Sequence, residues 1–94
     1  MILSYKDQRV ERLYQGEDIK AWSPIRRQAE KRLRILDSAD RLKTLMILPS
    51  NRLEALRGDR PRECSIRIND RWRICFIWPV EADGPGDVEI VDYH

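Results

Sequence analysis

The chain has 94 residues, 41% hydrophobic and 36% charged, with a formal net charge of +2. That is one domain's length, covering residues 1–94, and a chain of this size buries roughly two-thirds of its unfolded surface. No apolar run approaches the ~18 residues of a membrane span, and Asp7 interrupts a signal-peptide reading of the first ten residues, so a cytoplasmic protein with no membrane partner is expected.

Residues 1–5 (Met-Ile-Leu-Ser-Tyr) read as a short first strand, apolar, β-prone and without a breaker. Asp7 is positioned to cap a short helix that carries Val10, Leu13 and Tyr14 on one face and stops at Gly16. A second helix follows, with Ser23 as its N-cap and Pro24 at the first helical position, where a missing N–H costs nothing. Trp22, Ile25, Ala29, Leu33 and Leu36 keep helical spacing, while Arg26, Arg27, Lys31 and Arg34 lie off that stripe. Residues 40–45 add a further turn before Pro49 ends regular structure. Residues 51–62 have loop composition, with Gly58-Asp59 and Pro61 as turn signals.

Two strands are predicted next, at 64–69 and 72–78. Alternation sends Cys64, Ile66 and Ile68 to one face and Ser65, Arg67 and Asn69 to the other. On the following strand Trp72, Ile74, Phe76 and Trp78 form the large apolar set, and Arg73, Cys75 and Ile77 the opposite one. A three-residue turn at 69–71 unites the two apolar sets and sets Arg67 opposite Arg73. Two arginines opposed across a sheet repel unless something anionic lies between them. The same pairing separates Cys64 from Cys75 by face, which argues against a disulfide. Residues 83–86 (Asp-Gly-Pro-Gly) form a loop, and 87–93 a last strand alternating Val88 and Ile90 against Glu89 and Val91. Asp92 and His94 then share a face, and Tyr93 points away. The order predicts an α+β fold: an N-terminal strand and two helices packed on a mainly antiparallel sheet.

The small net charge hides an asymmetry. Residues 1–50 carry a balance of +4 and residues 51–73 one of +3, whereas residues 74–94 contain five acids and no Lys or Arg. Arginine outnumbers lysine 14 to 4, and its planar fork is the better bidentate phosphate ligand. A polyanionic partner suits this pattern, although a solvated charged surface accounts for the count alone.

Two cysteines and one histidine, with no Cys-x-x-Cys spacing, cannot build a four-ligand zinc site. The four glycines form no phosphate loop, so neither a metal nor a nucleotide cofactor is expected. No serine is placed by motif as a nucleophile. The sole histidine, His94, ends the sequence directly after Asp92 and Tyr93. An imidazole titrates near neutrality and suits general acid–base work, and a neighbouring aspartate can orient it; a frayed terminus is the plainer alternative.

Three stretches carry a resemblance: Asn-Arg-Leu-Glu-Ala-Leu-Arg-Gly-Asp-Arg (51–60), Ser-Ile-Arg-Ile-Asn-Asp-Arg-Trp-Arg-Ile-Cys-Phe (65–76) and Val-Glu-Ile-Val-Asp-Tyr-His (88–94). Together they resemble the HigB toxins, the plasmid-maintenance killer branch of the RelE/ParE toxin superfamily, and the resemblance spans essentially the whole chain. It implies a RelE-like fold and a type II toxin: a ribosome-dependent endoribonuclease that cuts translated mRNA. It also implies a cognate helix-turn-helix antitoxin of the HigA type, with operator DNA bound only through that antitoxin. Carried over by position, Arg73 matches the strand arginine expected to hold phosphate, and Asp92, Tyr93 and His94 match the catalytic run. Arg57, Arg60 and Arg67 are the expected RNA-binding cations. Arg57 stands where many relatives place a lysine, and Glu54 where some carry a histidine. The mechanism so implied needs no metal, because the RNA's own 2′-OH attacks the adjacent phosphorus. A non-catalytic gyrase poison of the ParE kind and an antitoxin-binding co-repressor are the alternatives.

Overall fold

The computed structural model describes residues 1–55 and 63–92. Asp7 turns the chain from extended backbone into helix α1 (Gln8–Tyr14), its carboxylate accepting the Arg9 backbone N–H at 3.0 Å. Gly16, at φ 101, ends it as expected. The next helix begins differently from the sequence expectation. Residues Lys20–Ile25 form a 3-10 turn containing Pro24, and α2 (Arg26–Ser38) starts only beyond it. Ser23 is not the cap: its hydroxyl donates to Asp18 at 2.8 Å, so the side chain is already committed elsewhere. The apolar stripe is as predicted, with Trp22, Ile25, Ala29, Leu33 and Leu36 all buried. Helix α3 (Leu42–Ile47) follows, and a 3-10 turn at Pro49–Asn51 closes this half.

The sheet has four antiparallel strands in the order β1 (Glu54–Ala55), β2 (Glu63–Arg67), β3 (Trp72–Ile77) and β4 (Gly86–Asp92). Strand β1 falls in the segment read as loop. It has only two residues, Glu54 opposite Ser65 and Ala55 opposite Cys64, too few to show alternation. The β2–β3 hairpin has the predicted register: Arg67 faces Arg73, and the Ile68 N–H reaches the Trp72 carbonyl at 2.9 Å across residues 69–71. Cys64 and Cys75 form no disulfide, and burial pushes the Cys64 thiol pKa up.

The expected N-terminal strand is reduced to a single parallel bridge, Tyr5 to Val88. Residues 1–6 do run beside β4, with the Leu3 N–H on the Pro85 carbonyl and the Lys6 N–H on the Val88 carbonyl, at 2.8 and 3.0 Å. A ladder cannot extend because Pro85 has no N–H to give and Asp87 adopts φ 49, which bends the β4 edge. Gly84 admits the segment: a Cβ there would overlap the Met1 carbonyl oxygen.

One face of the sheet meets the helices. Cys64, Ile66, Ile74, Phe76, Val88 and Ile90 pack there with Val10, Leu13, Ala29, Leu33 and Leu36. Each large side chain so buried contributes about 1.5–3 kcal/mol. Among the described residues, no helix is long and apolar enough to cross a membrane.

Candidate active site

The other face of the sheet carries the charge. Arg73 is 7% exposed. Its Nε donates to the Ser65 hydroxyl at 2.8 Å and its Nη2 to the Ser65 carbonyl at 3.2 Å, with a further Nη2 bond to the Arg52 carbonyl. Arg67, directly across the hairpin, turns toward Asp70 and pairs with its carboxylate. The cross-strand repulsion expected of this pair is therefore relieved within the protein, by carbonyls at one guanidinium and an acid at the other. Burial without partners would be costly for a guanidinium; here fixed acceptors take its donors and lock its orientation.

The acceptor from Arg52 depends on a chain of buried contacts. Asn51 is fully buried, its amide donating to the Leu45 carbonyl and its oxygen accepting from Arg32 Nη1, each at 3.0 Å. That anchors the 3-10 turn after α3. Arg52 then takes the left-handed conformation, φ 45 and ψ 54, which aims its carbonyl at Arg73. A non-glycine residue there is strained.

Arg52, Glu54, Arg67, Asn69, Asp70 and Arg73 enclose a cleft of about 280 Å³. Arg52, Arg67 and Asn69 also belong to an adjoining depression of about 410 Å³ that reaches Gln28, Arg32 and Ser50. The two make a trough with four arginines, 32, 52, 67 and 73, running from α2 to the hairpin. Rows of guanidinium groups with fixed forks suit a phosphodiester backbone.

Asp92 is not part of this trough. It lies opposite Trp72 in the sheet, on the face away from Arg73. Its carboxylate grips Arg71 through three bonds of 2.7–3.0 Å, and that guanidinium lies over the Trp72 ring at 5.3 Å from its centroid. Asp92 holds the Arg71 guanidinium above its normal pKa. The pair ties the end of β4 to the hairpin. Arg57, Arg60, Tyr93 and His94 lie outside the described residues. Of the residues picked from sequence, Arg67 and Arg73 are brought together; Asp92 is separated from them. Ser65, Arg52, Asn51 and Glu54 are site residues that sequence reasoning did not choose. Alternation already put Ser65 on the arginine face, and Glu54 was marked by its position; nothing marked the left-handed turn at Arg52.

Residues 3–94 match the family described as the RelE-like toxin of the type II toxin–antitoxin system HigB. The chain belongs to that HigB-like toxin family. It is 36% identical over 96 aligned positions to Toxin HigB-1 of Vibrio cholerae serotype O1, covering 100% of this chain and 98% of that relative. Membership makes this a toxin of a type II toxin–antitoxin system, with an antitoxin as its partner, and the described sheet and helices form the RelE-like α+β fold. In this HigB-like toxin the cleft walled by Arg73 lies on the sheet face turned away from the helical core, and the trough continues from it to α2.

Proposed function

We propose that this toxin is a ribosome-dependent endoribonuclease that cleaves translated mRNA by metal-independent attack of the RNA 2′-OH. The observation that carries the reading is Arg73: a guanidinium fixed by Ser65 and Arg52 in the wall of an arginine-lined cleft. In the reaction the 2′-oxygen bonds to the adjacent phosphorus, the 5′-oxygen leaves, and a 2′,3′-cyclic phosphate and a 5′-OH result. The phosphorane gains negative charge, which a preorganised guanidinium stabilises without reorganising. Arg67 and Arg52 hold flanking phosphates, joined by Arg57 and Arg60. His94 moves the proton, and Tyr93 stacks on a base or donates a hydrogen bond. Asp92 serves by anchoring: its bond to Arg71 fixes the end of β4, from which Tyr93 and His94 continue. The antitoxin is of the helix-turn-helix kind, and operator DNA is contacted through it.

The test is to map mRNA 5′ ends on programmed ribosomes and to identify the new termini. The reading expects cuts confined to ribosome-bound message, with 2′,3′-cyclic phosphate and 5′-OH ends. Water-derived 5′-phosphate ends would refute the mechanism. Intact message together with inhibited DNA gyrase would replace it with the ParE-like alternative.

A further inference from the structure

Helix α3 carries more apolar surface than the core uses. Leu45 is buried, but Met46, Ile47 and Leu48 are 64%, 69% and 46% exposed. Beside them, between α2 and α3, lies a groove of about 370 Å³ whose lining includes Ile35, Ala39, Leu45 and Leu48, with Lys31 and Arg34 among its charged members. Both cations are exposed and sit one helical turn apart. An exposed apolar cluster rimmed by charge is the signature of a protein contact.

Leu48 also belongs to a neighbouring depression with Met46, Pro49, Leu53 and Arg52, and Arg52 is a wall of the cleft. The apolar strip thus runs from α2 to the rim of the trough, although groove and cleft share no lining residue.

Charge selects the occupant. Arg27, Arg41 and Lys43 add exposed cations to this part of the chain, against the one exposed acid between α2 and α3, Asp40. The two acids of α2 are engaged: Glu30 with Arg26, and Asp37 with the Tyr14 hydroxyl and the Ile2 N–H. A second copy laid face to face would set Lys31 and Arg34 against their own kind, and an RNA would gain nothing from the apolar floor. We infer that the groove receives a segment of the antitoxin that combines apolar side chains for Ile35, Leu45 and Leu48 with carboxylates for Lys31 and Arg34. The inference rests on the reading of this chain as a toxin neutralised by a cognate antitoxin. A segment seated there ends at the rim of the trough and obstructs RNA without touching Arg73.

The experiment is calorimetric titration of the full-length chain with its purified cognate antitoxin. The variants are Leu48→Asp and the double change Lys31→Glu with Arg34→Glu, with cleavage on programmed ribosomes followed in parallel. Each variant is expected to bind roughly tenfold or more weakly, as loss of an interface anchor does, and to cleave message at the unmodified rate while escaping neutralisation. Should Leu48→Asp melt at lower temperature, the double variant, at exposed positions, decides alone. Wild-type affinity in the double variant overturns the inference, as does an antitoxin that does not bind. So does a free chain that sediments as a dimer dissociated by the double change. A chain that binds through the groove yet leaves translated message intact refutes the nuclease reading and keeps the groove. One that cleaves, but binds its antitoxin equally well in both variants, does the reverse.

Discussion

The two faces of the sheet are built from the same strands by opposite rules. On the helix side Ile66, Ile74, Phe76 and Val88 are buried against aliphatic neighbours, and each helps hold the fold. On the other side Ser65 and Arg73 are equally buried, but every contact orients a cation rather than removing apolar area from water. Burying a charge rarely gains stability, even when its hydrogen bonds are complete. The hydrophobic face holds the fold together; the arginine face spends some of that stability on a preorganised charge.

Substitutions can break or sharpen this contrast. Phe76→Ala should cost about 3–5 kcal/mol in denaturant unfolding, because a fully buried ring leaves a cavity. Cleavage per folded molecule should stay unchanged; a specific loss of rate would mean the two faces are coupled. Arg73→Met should do the converse. It should slow single-turnover cleavage by roughly 10²-fold or more, as loss of an oxyanion donor does. Its melting temperature should change little, because removing a buried charge is offset by the Ser65 and Arg52 acceptors left without a donor. Arg73→Lys should restore only part of the rate, because an ammonium cannot reproduce the fork. A destabilised Arg73→Met would show that the guanidinium holds the fold too.

A smaller effect is expected on the helical side in alkali. Burial, then the hydrogen bond to Asp37, pushes the Tyr14 pKa up to about 12 from its ordinary 10. The folded state therefore keeps this proton longer than the unfolded chain does. The stability so gained is complete below pH 10 and lost as the pH rises through 12. Tyr14→Phe should flatten that part of the stability–pH curve, and an unchanged slope would assign the alkaline loss to other groups. The smallest effect belongs to Arg71→Ala, whose guanidinium is exposed. It should lower the melting temperature slightly, and less as salt is added. A large salt-independent drop would show that the tie to Asp92 is structural rather than a surface pair.

Much of this contrast was legible in the residues. Period two across Cys64–Ile68 and Trp72–Phe76 leaves one turn length that unites the apolar sets, so the hairpin and the Arg67–Arg73 opposition followed. The stripe that runs from Trp22 and Ile25 into α2 was equally clear, because five apolar residues at helical spacing have no competing arrangement. For Asp92, alternation with Val88 and Ile90 gave the face but not the partner. Which hairpin residue it meets depends on the β3–β4 register, and that register carries an irregularity between Cys75 and Ile77 that no sequence pattern marks. Ser23 lost its capping role to a side-chain partner, Asp18, only five residues away. The Asn51 anchor was hidden because it joins α2, α3 and a 3-10 turn that are adjacent only once folded.

The backbone of Arg52 has a genetic consequence. At φ 45 and ψ 54 a glycine would sit without strain, and that relief offsets the freedom glycine adds to the unfolded chain. Arg52→Gly would therefore remove one cation from the trough wall while leaving the carbonyl that Arg73 uses. Every arginine codon is one base change from a glycine codon. On the proposed RNA-binding role of the trough, position 52 would offer a cell poisoned by this toxin a single-step mutation that weakens the protein without unfolding it. The groove between α2 and α3 would be untouched, so a chain weakened in this way would, on the inference drawn from that groove, still bind antitoxin. Survivors of forced expression should carry that substitution more often than chance allows, and their toxin should accumulate as soluble protein.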